Sequence, residues 1–311
     1  MRLHTLAAAF LALMLAACGG NPKTVIATAA GKITIELLDE GVEPHRVLRY
    51  DLREGVRESM ELELHMTMKS EIEGKSELPE NNAPPVGMVM DFDPWTKTKD
   101  GNLTSGFELA EIYLLEGGDF DDEQLEEMEE GLAKLEGAAG WLVVTPQGQT
   151  IDSGVNLTSH ITPEAAEIMQ NLGASFKQMP MTFPEQPIGR GARWKVTMPA
   201  DVFGMSMTQV IIYTLEDIDG HLGKLSVDFT QTAEGQLSGP NVPPNVRIDI
   251  VKLESRGSGT MDFNLHHFVP PSIEVVLNLS LEAKMRSEGK TQDMKRDATM
   301  QLFVRPGGKG Q

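Results

Sequence analysis

Two stretches of this chain alternate apolar and polar residues over so many positions that one backbone conformation is left open to them. In SMELELHMTMK, residues 59–69, Met60, Leu62, Leu64, Met66 and Met68 fall on one side, and Glu61, Glu63, His65 and Thr67 on the other. A helix would scatter such a pattern around its circumference, whereas a strand places alternate side chains on opposite faces. The second stretch lies near the C-terminus. Ile273, Val275, Leu277, Leu279, Leu281, Ala283 and Met285 alternate mostly with Glu274, Asn278, Ser280, Glu282, Lys284 and Arg286. Both read as long antiparallel strands with one face buried. SEGKTQ then reads as a hairpin turn, from which Arg296 to Val304 returns with Ala298, Met300 and Leu302 facing inward.

Weaker patterns predict further strands over Lys32 to Leu38, Arg46 to Leu52, Val86 to Phe92, Leu103 to Leu115, Trp141 to Thr145, Arg193 to Met198, Met205 to Glu216, Leu222 to Thr232 and Gly257 to His267. Residues 233–249, rich in Gly and Pro, read as a loop. Two amphipathic helices interrupt the middle third. Leu125, Met128, Leu132 and Leu135 recur at helical spacing over 122–135, with Asp119 or Asp121 as N-cap. Thr162 and Pro163 open a second helix over 163–177, with Ile168, Leu172 and Phe176 as its apolar stripe.

The fold class that follows is mainly β, with antiparallel curved sheets, half-barrel or sandwich-like, and two helices. YDLREGVRESMELEL and QPIGRGARWKVTM share a basic-glycine turn into a strand, which leaves a duplicated arrangement open. The expected organisation is a signal peptide over 1–17, a tether over 18–31, an N-terminal β region over 32–160 with helix 122–135, and a C-terminal region over 161–311 that begins with helix 163–177.

The chain offers little catalytic material. It has seven histidines and none of the common catalytic, phosphate-binding or dinucleotide-binding motifs. His266 and His267 are neighbours on an expected strand, so they point to opposite faces and cannot share one metal ion. Eight carboxylates between Asp119 and Glu130 could attract a hard cation, but their spacing suits the solvated face of a helix better than an ordered loop. The expectation is a non-enzymatic protein with no cofactor and no metal. Methionine is unusually abundant: eighteen residues, against three tryptophans and three tyrosines. A flexible, polarizable side chain can fill a core, or it can adapt to an irregular apolar ligand. The candidate apolar ligand face is Met60, Leu62, Leu64, Met66, Met68, Leu277, Leu279, Leu281, Met285 and Met300.

The single cysteine follows an apolar run that is too short to span a bilayer. Arg2 and His4 precede the run, and Leu15-Ala16-Ala17-Cys18 ends it. That ending resembles the lipobox of bacterial lipoproteins. The resemblance implies cleavage before Cys18 and acylation of its thiol and new amino group, and several acyl chains together anchor a protein durably. The membrane is then a partner through the acyl chains on Cys18. Gly19 in place of Asp favours, by the same resemblance, the periplasmic leaflet of the outer membrane. Cleavage also removes Arg2, adding one negative charge to the −19 of the full chain. A balance that acidic disfavours nucleic acid.

The segments LRYDLREG, FPEQPIGRGARWKV and GSGTMDFNLHHFVPPSIEVVLNLSLEAKM together resemble a family of exported bacterial β-rich proteins of uncharacterised function. Pro184, Pro187, Ile188, Gly191 and Trp194 match its P-x-x-P-[IV]-x-x-G-x-x-W pattern. The resemblance implies no catalytic residues. A more distant likeness is to half-barrel lipoprotein carriers, whose curved sheet holds acyl chains. An enzyme stands last, since it would need two or more of His65, His160, His221 and His266 to converge with Asp or Glu, and two readings stand ahead of it. One is an anchored module that binds a lipid or other hydrophobic ligand. The other is a structural or protein-interaction lipoprotein with a filled core and a protein partner that the sequence does not name.

Overall fold

The computed structural model describes residues 25–26, 33–72, 75–76, 81–82, 84–156, 181–202, 205–237, 245–287 and 289–307. In chain order the strands are β1 (Val25–Ile26), β2 (Thr34–Asp39), β3 (Val42–Arg46), β4 (Glu58–Ile72), β5 (Lys75–Ser76), β6 (Asn81–Asn82), β7 (Val86–Phe92), β8 (Thr96–Lys97), β9 (Leu103–Leu114), β10 (Ala139–Val144), β11 (Thr150–Asn156), β12 (Ile188–Arg190), β13 (Arg193–Val202), β14 (Met205–Asp219), β15 (Leu222–Leu237), β16 (Val246–Asn264), β17 (Ser272–Ser287) and β18 (Lys290–Pro306). Sixteen of them form one antiparallel sheet in the order β1-β11-β10-β9-β7-β4-β18-β17-β16-β15-β14-β13-β2, with β5, β6 and β8 off that path. β3 and β12 pair separately. The N-terminal and C-terminal β regions therefore share one continuous sheet, joined where β4 pairs β18 and where β2 pairs β13.

The sheet curls until its two halves share a core. Leu142 of β10 and Trp194 of β13 lie far apart along the strand order, yet both are fully buried in the same apolar cluster. Two extended segments bridge them. Tyr50 N–H donates to Pro146 O, in the β10–β11 turn, and Phe183 N–H donates to Gln147 O beside it. The Tyr50 and Phe183 rings meet at 5.6 Å, and Phe183 in turn meets Trp194 and Phe263. Segments 47–52 and 181–184 thus fill the end of the curl, and hydrogen bonding between strands does not close it into a barrel.

The expected strand over Arg46 to Leu52 is corrected here. Leu48, Tyr50 and Leu52 are buried alternately, as a strand would have them, but Asp51 N–H and Arg53 N–H bond to the turn carbonyls of Leu265 and His266. Alternation reports extended backbone with one buried side and cannot say whether a neighbouring strand accepts its hydrogen bonds. The expected loop over 233–249 is also corrected. β15 continues to Leu237 and β16 begins at Val246, so strand pairing reaches well into that Gly- and Pro-rich stretch. β11 was not foreseen. Helix 163–177, His160 and Cys18 lie outside the described residues.

Glycines within strands meet aromatic rings from the opposite strand. Gly87 faces Tyr113, Gly140 faces Phe107, Gly154 faces Trp141 and Gly223 faces Phe263, each pair in direct register. In each case the ring lies where a β-carbon would stand, so the aromatic side chain covers backbone that glycine leaves bare.

The helix at Asp122–Ala133 opens on a capping box. Asp121 Oδ1 accepts from Gln124 N–H at 2.9 Å, and Gln124 Oε1 accepts from Asp121 N–H at 3.1 Å. Leu132 and, just beyond the helix, Leu135 are buried, while Glu126, Glu127, Glu129 and Glu130 face solvent. The acidic run is the wet face of this helix.

Outward faces of the central strands are charged along their length. β4 presents Glu61, Glu63, Lys69 and Glu71, and β18 presents Asp293, Lys295, Asp297 and Arg305. A membrane-spanning barrel needs an apolar outward band about 25 Å tall. These strands carry the reverse arrangement, apolar inward and charged outward. Among the described residues no helix is long and apolar enough to cross a membrane either.

Candidate functional site

The ten residues of the expected apolar face do stand on one side of the sheet. Register aligns them in cross-strand rows: Leu277, Met300 and Met66; Leu279, Ala298 and Met68; Leu281, Arg296 and Ser70. Val275, Leu302 and Leu64 form the row before these, and Met285 lies opposite Ile248 and Gln292 at the far end.

Their surroundings differ along the strands. Met60 is sealed in the main core, and Leu62 and Leu277 pack against it. Leu281 belongs to a second, smaller cluster with Ala233, Leu253, Ala283 and Met294, against which Leu279 packs. Met66 is buried. Leu64, Met68, Met285 and Met300 are half-buried. Strands of fifteen to nineteen residues, β4 and β14 to β18, outrun the main core, and this half-covered apolar surface is the result.

Sequence reasoning missed a cation on that face. Arg296 stands between Leu281 and Ser70, and its Nε donates to Ser70 Oγ at 3.0 Å. Burial pulls its guanidinium pKa below the ordinary value. The signal was present: Arg296 is in phase with Met294, Ala298, Met300 and Leu302. A polar row crosses the same face nearby, where Gln231 Nε2 donates to Gln209 Oε1 and Ser255 is buried beside them in register.

A cavity of about 420 Å³ opens in this part of the sheet, but on the outward side. Thr67, Lys69, Glu254, Arg256, Asn278 and Asp297 line it. Ser280 Oγ donates to Asp297 Oδ1 at 2.7 Å, and Thr299 Oγ1 donates to Asn278 Oδ1 at 3.0 Å. The Ser280 hydrogen bond, followed by Lys295, holds the Asp297 carboxyl below the usual carboxylate range. The groove is open and rimmed mostly by polar and charged residues, with Leu279 and Ala298 also in its lining, unlike an enclosed acyl-chain pocket.

At the opposite end of the sheet a carboxylate is buried. Glu58 opens β4, with Oε1 accepting from Phe268 N–H at 3.1 Å, Oε2 from Val269 N–H at 2.8 Å, and His267 Nδ1 3.8 Å from Oε2. Burial pushes its pKa up, against the pull of those two N–H bonds and of His267. The folded protein therefore holds this proton more tightly than the unfolded chain. The stabilisation is complete below the ordinary carboxylate pKa and is lost as pH rises through the raised one. Urea midpoints of wild type and Glu58→Gln, measured between about pH 4 and pH 7, should show the variant gaining on wild type with rising pH. A pH-independent difference would contradict this.

His266 and His267 do not lie on a strand. They occupy the turn after β16, and His266 meets His221 of the β14–β15 turn with ring centroids 4.5 Å apart. The sequence set His221 and His266 among four histidines whose convergence with Asp or Glu would point to an enzyme; the structure brings these two together, at two hairpin ends placed side by side.

No known protein family and no curated protein matches the chain. Among solved structures it is similar to Pseudomonas aeruginosa OccK11 (OpdR), at 7% identity over 84% of this chain and 100% of that one, with a TM-score of 0.23. It is also similar to Pseudomonas aeruginosa OpdQ, at 8% identity over 80% of this chain and 97% of that one, with a TM-score of 0.21. Scores this low leave no common fold to reason from.

Proposed function

We propose that the protein is a non-enzymatic lipoprotein of the bacterial cell envelope, anchored through acyl chains on Cys18, whose inward sheet face takes up a lipid or another hydrophobic ligand. One observation carries the ligand reading: from Leu64, in the row of Val275 and Leu302 at the main core, the apolar face runs on through Met300, Met68 and Met285, and all four remain half-buried. Covering such surface gains roughly 25 cal/mol per Å², and methionine adapts to chains of irregular shape. The anchor rests on the lipobox resemblance, and outer-membrane placement rests on Gly19.

The test releases residues 22–311 from the periplasm behind an ordinary export signal and records native mass spectra before and after organic extraction. A removable bound mass, diminished in Met68→Glu and Met300→Glu but retained in the outward-facing Thr67→Glu, is the expected result. A clean apo mass with an intact circular dichroism spectrum would sink the ligand reading. For the anchor, wild type should carry an acyl mass at Cys18 and sediment with membranes, and Cys18→Ala should lose both.

A second reading, an interaction module of envelope assembly, is favoured by a different observation. Six of the ten face residues, Met60, Leu62, Leu277, Leu279, Leu281 and Met66, are buried or packed against a core cluster. In that case the polar outward groove is the contact surface, and crosslinking from Arg256→Cys in the envelope should capture a protein that the Thr291→Cys control does not.

A further inference from the structure

His221 and His266 are far apart in sequence, and the fold fixes them together by their backbones. Leu265 N–H donates to His221 O at 2.8 Å, tying the β16–β17 turn to the β14–β15 turn. His266 N–H donates to Asn264 Oδ1 at 2.9 Å, and Arg53 N–H donates to His266 O at 3.2 Å. The His266 ring is fixed as well, because its Nδ1 stands 3.0 Å from Asp51 O. A carbonyl oxygen only accepts, so Nδ1 is the donor in this contact, and in the neutral ring Nε2 is then the nitrogen left with a lone pair. A backbone carbonyl on one ring nitrogen is the usual means of aiming the other at a metal ion.

We propose that His221 and His266 are the protein ligands of a site for a late first-row divalent transition metal ion: Cu²⁺, Ni²⁺ or Zn²⁺. The spacing suits it. With metal–nitrogen bonds of about 2.0–2.1 Å, two imidazoles on one ion have ring centroids about 4.5 Å apart at a right angle and about 5 Å apart at a tetrahedral one. The observed 4.5 Å falls at the near end of that range. Both rings are half-buried in turns that reach solvent, so water can fill the remaining positions. Among the described residues no group of three or more His, Cys, Asp or Glu could hold an ion, which makes this a two-ligand site of modest affinity. Imidazole donors without carboxylate or thiolate select Cu²⁺ over Ni²⁺ and Zn²⁺ and exclude Ca²⁺ and Mg²⁺. The strongly acidic chain draws cations toward it.

The full chain, prepared without a polyhistidine tag, is titrated with Cu²⁺ and Zn²⁺ by calorimetry, and the Cu²⁺ form is examined by electron paramagnetic resonance. We expect one equivalent bound, superhyperfine coupling to two nitrogens, and a higher melting temperature in the presence of metal. His221→Ala and His266→Ala should each weaken binding at least tenfold and leave coupling to one nitrogen. His267→Ala, whose ring is directed at Glu58 instead, should bind as wild type does. His221→Gln guards against a folding defect, since it keeps a polar side chain in the turn and should still lose the ion. Unchanged affinity and coupling in His221→Ala and His266→Ala would overturn the site, as would an equal loss in His267→Ala.

Discussion

Trp194→Ala should cost about 3–5 kcal/mol, the range for removing a large aromatic from a packed core. Trp194 is fully buried, its ring stacks on Tyr213 at 5.2 Å, and it meets Phe183 at 6.3 Å. Its indole Nε1–H donates to Thr182 O at 2.9 Å. The substitution therefore removes the ring that ties segment 181–184 to β13, and it also leaves the Thr182 carbonyl without this donor. Trp194→Phe keeps most of the volume and loses the hydrogen bond with a smaller share of the packing, so it should cost less than the full truncation. Urea unfolding of the two variants against wild type checks both outcomes. Equal losses would mean that the hydrogen bond, and not the packing, holds the segment.

The second large effect is expected from one methyl group. Gly148, in the β10–β11 turn, has φ of +90°, and a β-carbon there would overlap Met181 O and crowd the Tyr50 ring. Gly148→Ala must adopt a backbone conformation that costs of order 1–3 kcal/mol, and it must also push segment 181–184 off the turn. A total of about 2–6 kcal/mol follows, with the overpacking included. Gly55→Ala is the comparison: its φ is +76°, but nothing lies within 4 Å of the added carbon. It isolates the conformational cost, and its melting temperature should fall less than that of Gly148→Ala. If the two variants melt together, the contact with segment 181–184 contributes nothing.

Much of the sheet was legible because its long strands are buried on one face only. β7 spans Val86 to Phe92 as expected, and β17 spans Ser272 to Ser287 around the expected Ile273–Met285 run. The helix at 122–133 was legible from its apolar spacing, and Asp121 proved to be the cap. β11 was not, because TIDSGVN places Thr150 and Ser153 in the interior while Ile151 is exposed, so hydropathy runs against burial. Segment 47–52 failed in the opposite sense, alternating like a strand while its N–H groups bond to turn carbonyls. Of the candidate site, membership of the apolar face was readable from phase alone. Arg296 was in phase too, but a lone charge in an apolar series reads as a strand end. The meeting of His221 with His266 depends on which hairpins lie side by side, and no local pattern encodes that.

The place of β18 in the strand order sets a condition on how the molecule can be assembled. β18, the last of the described strands, stands near the middle of the sheet, between β17 and β4. Until residues 290–306 are available, β4 has no partner on that side, and its inward Met and Leu row ends at an open edge. The two halves meet without β18 through β2 on β13 and through the core that segments 47–52 and 181–184 bridge, but the seam between β4 and β18 closes only when residues 290–306 arrive, and it joins strands more than two hundred residues apart. A ribosome or export channel that releases the chain N-terminus first delivers β18 after every other described strand. A premature stop a few codons before Lys290 would remove a small part of the mass and divide the sheet in two, leaving β4 and β17 as raw edges ready to pair with other chains.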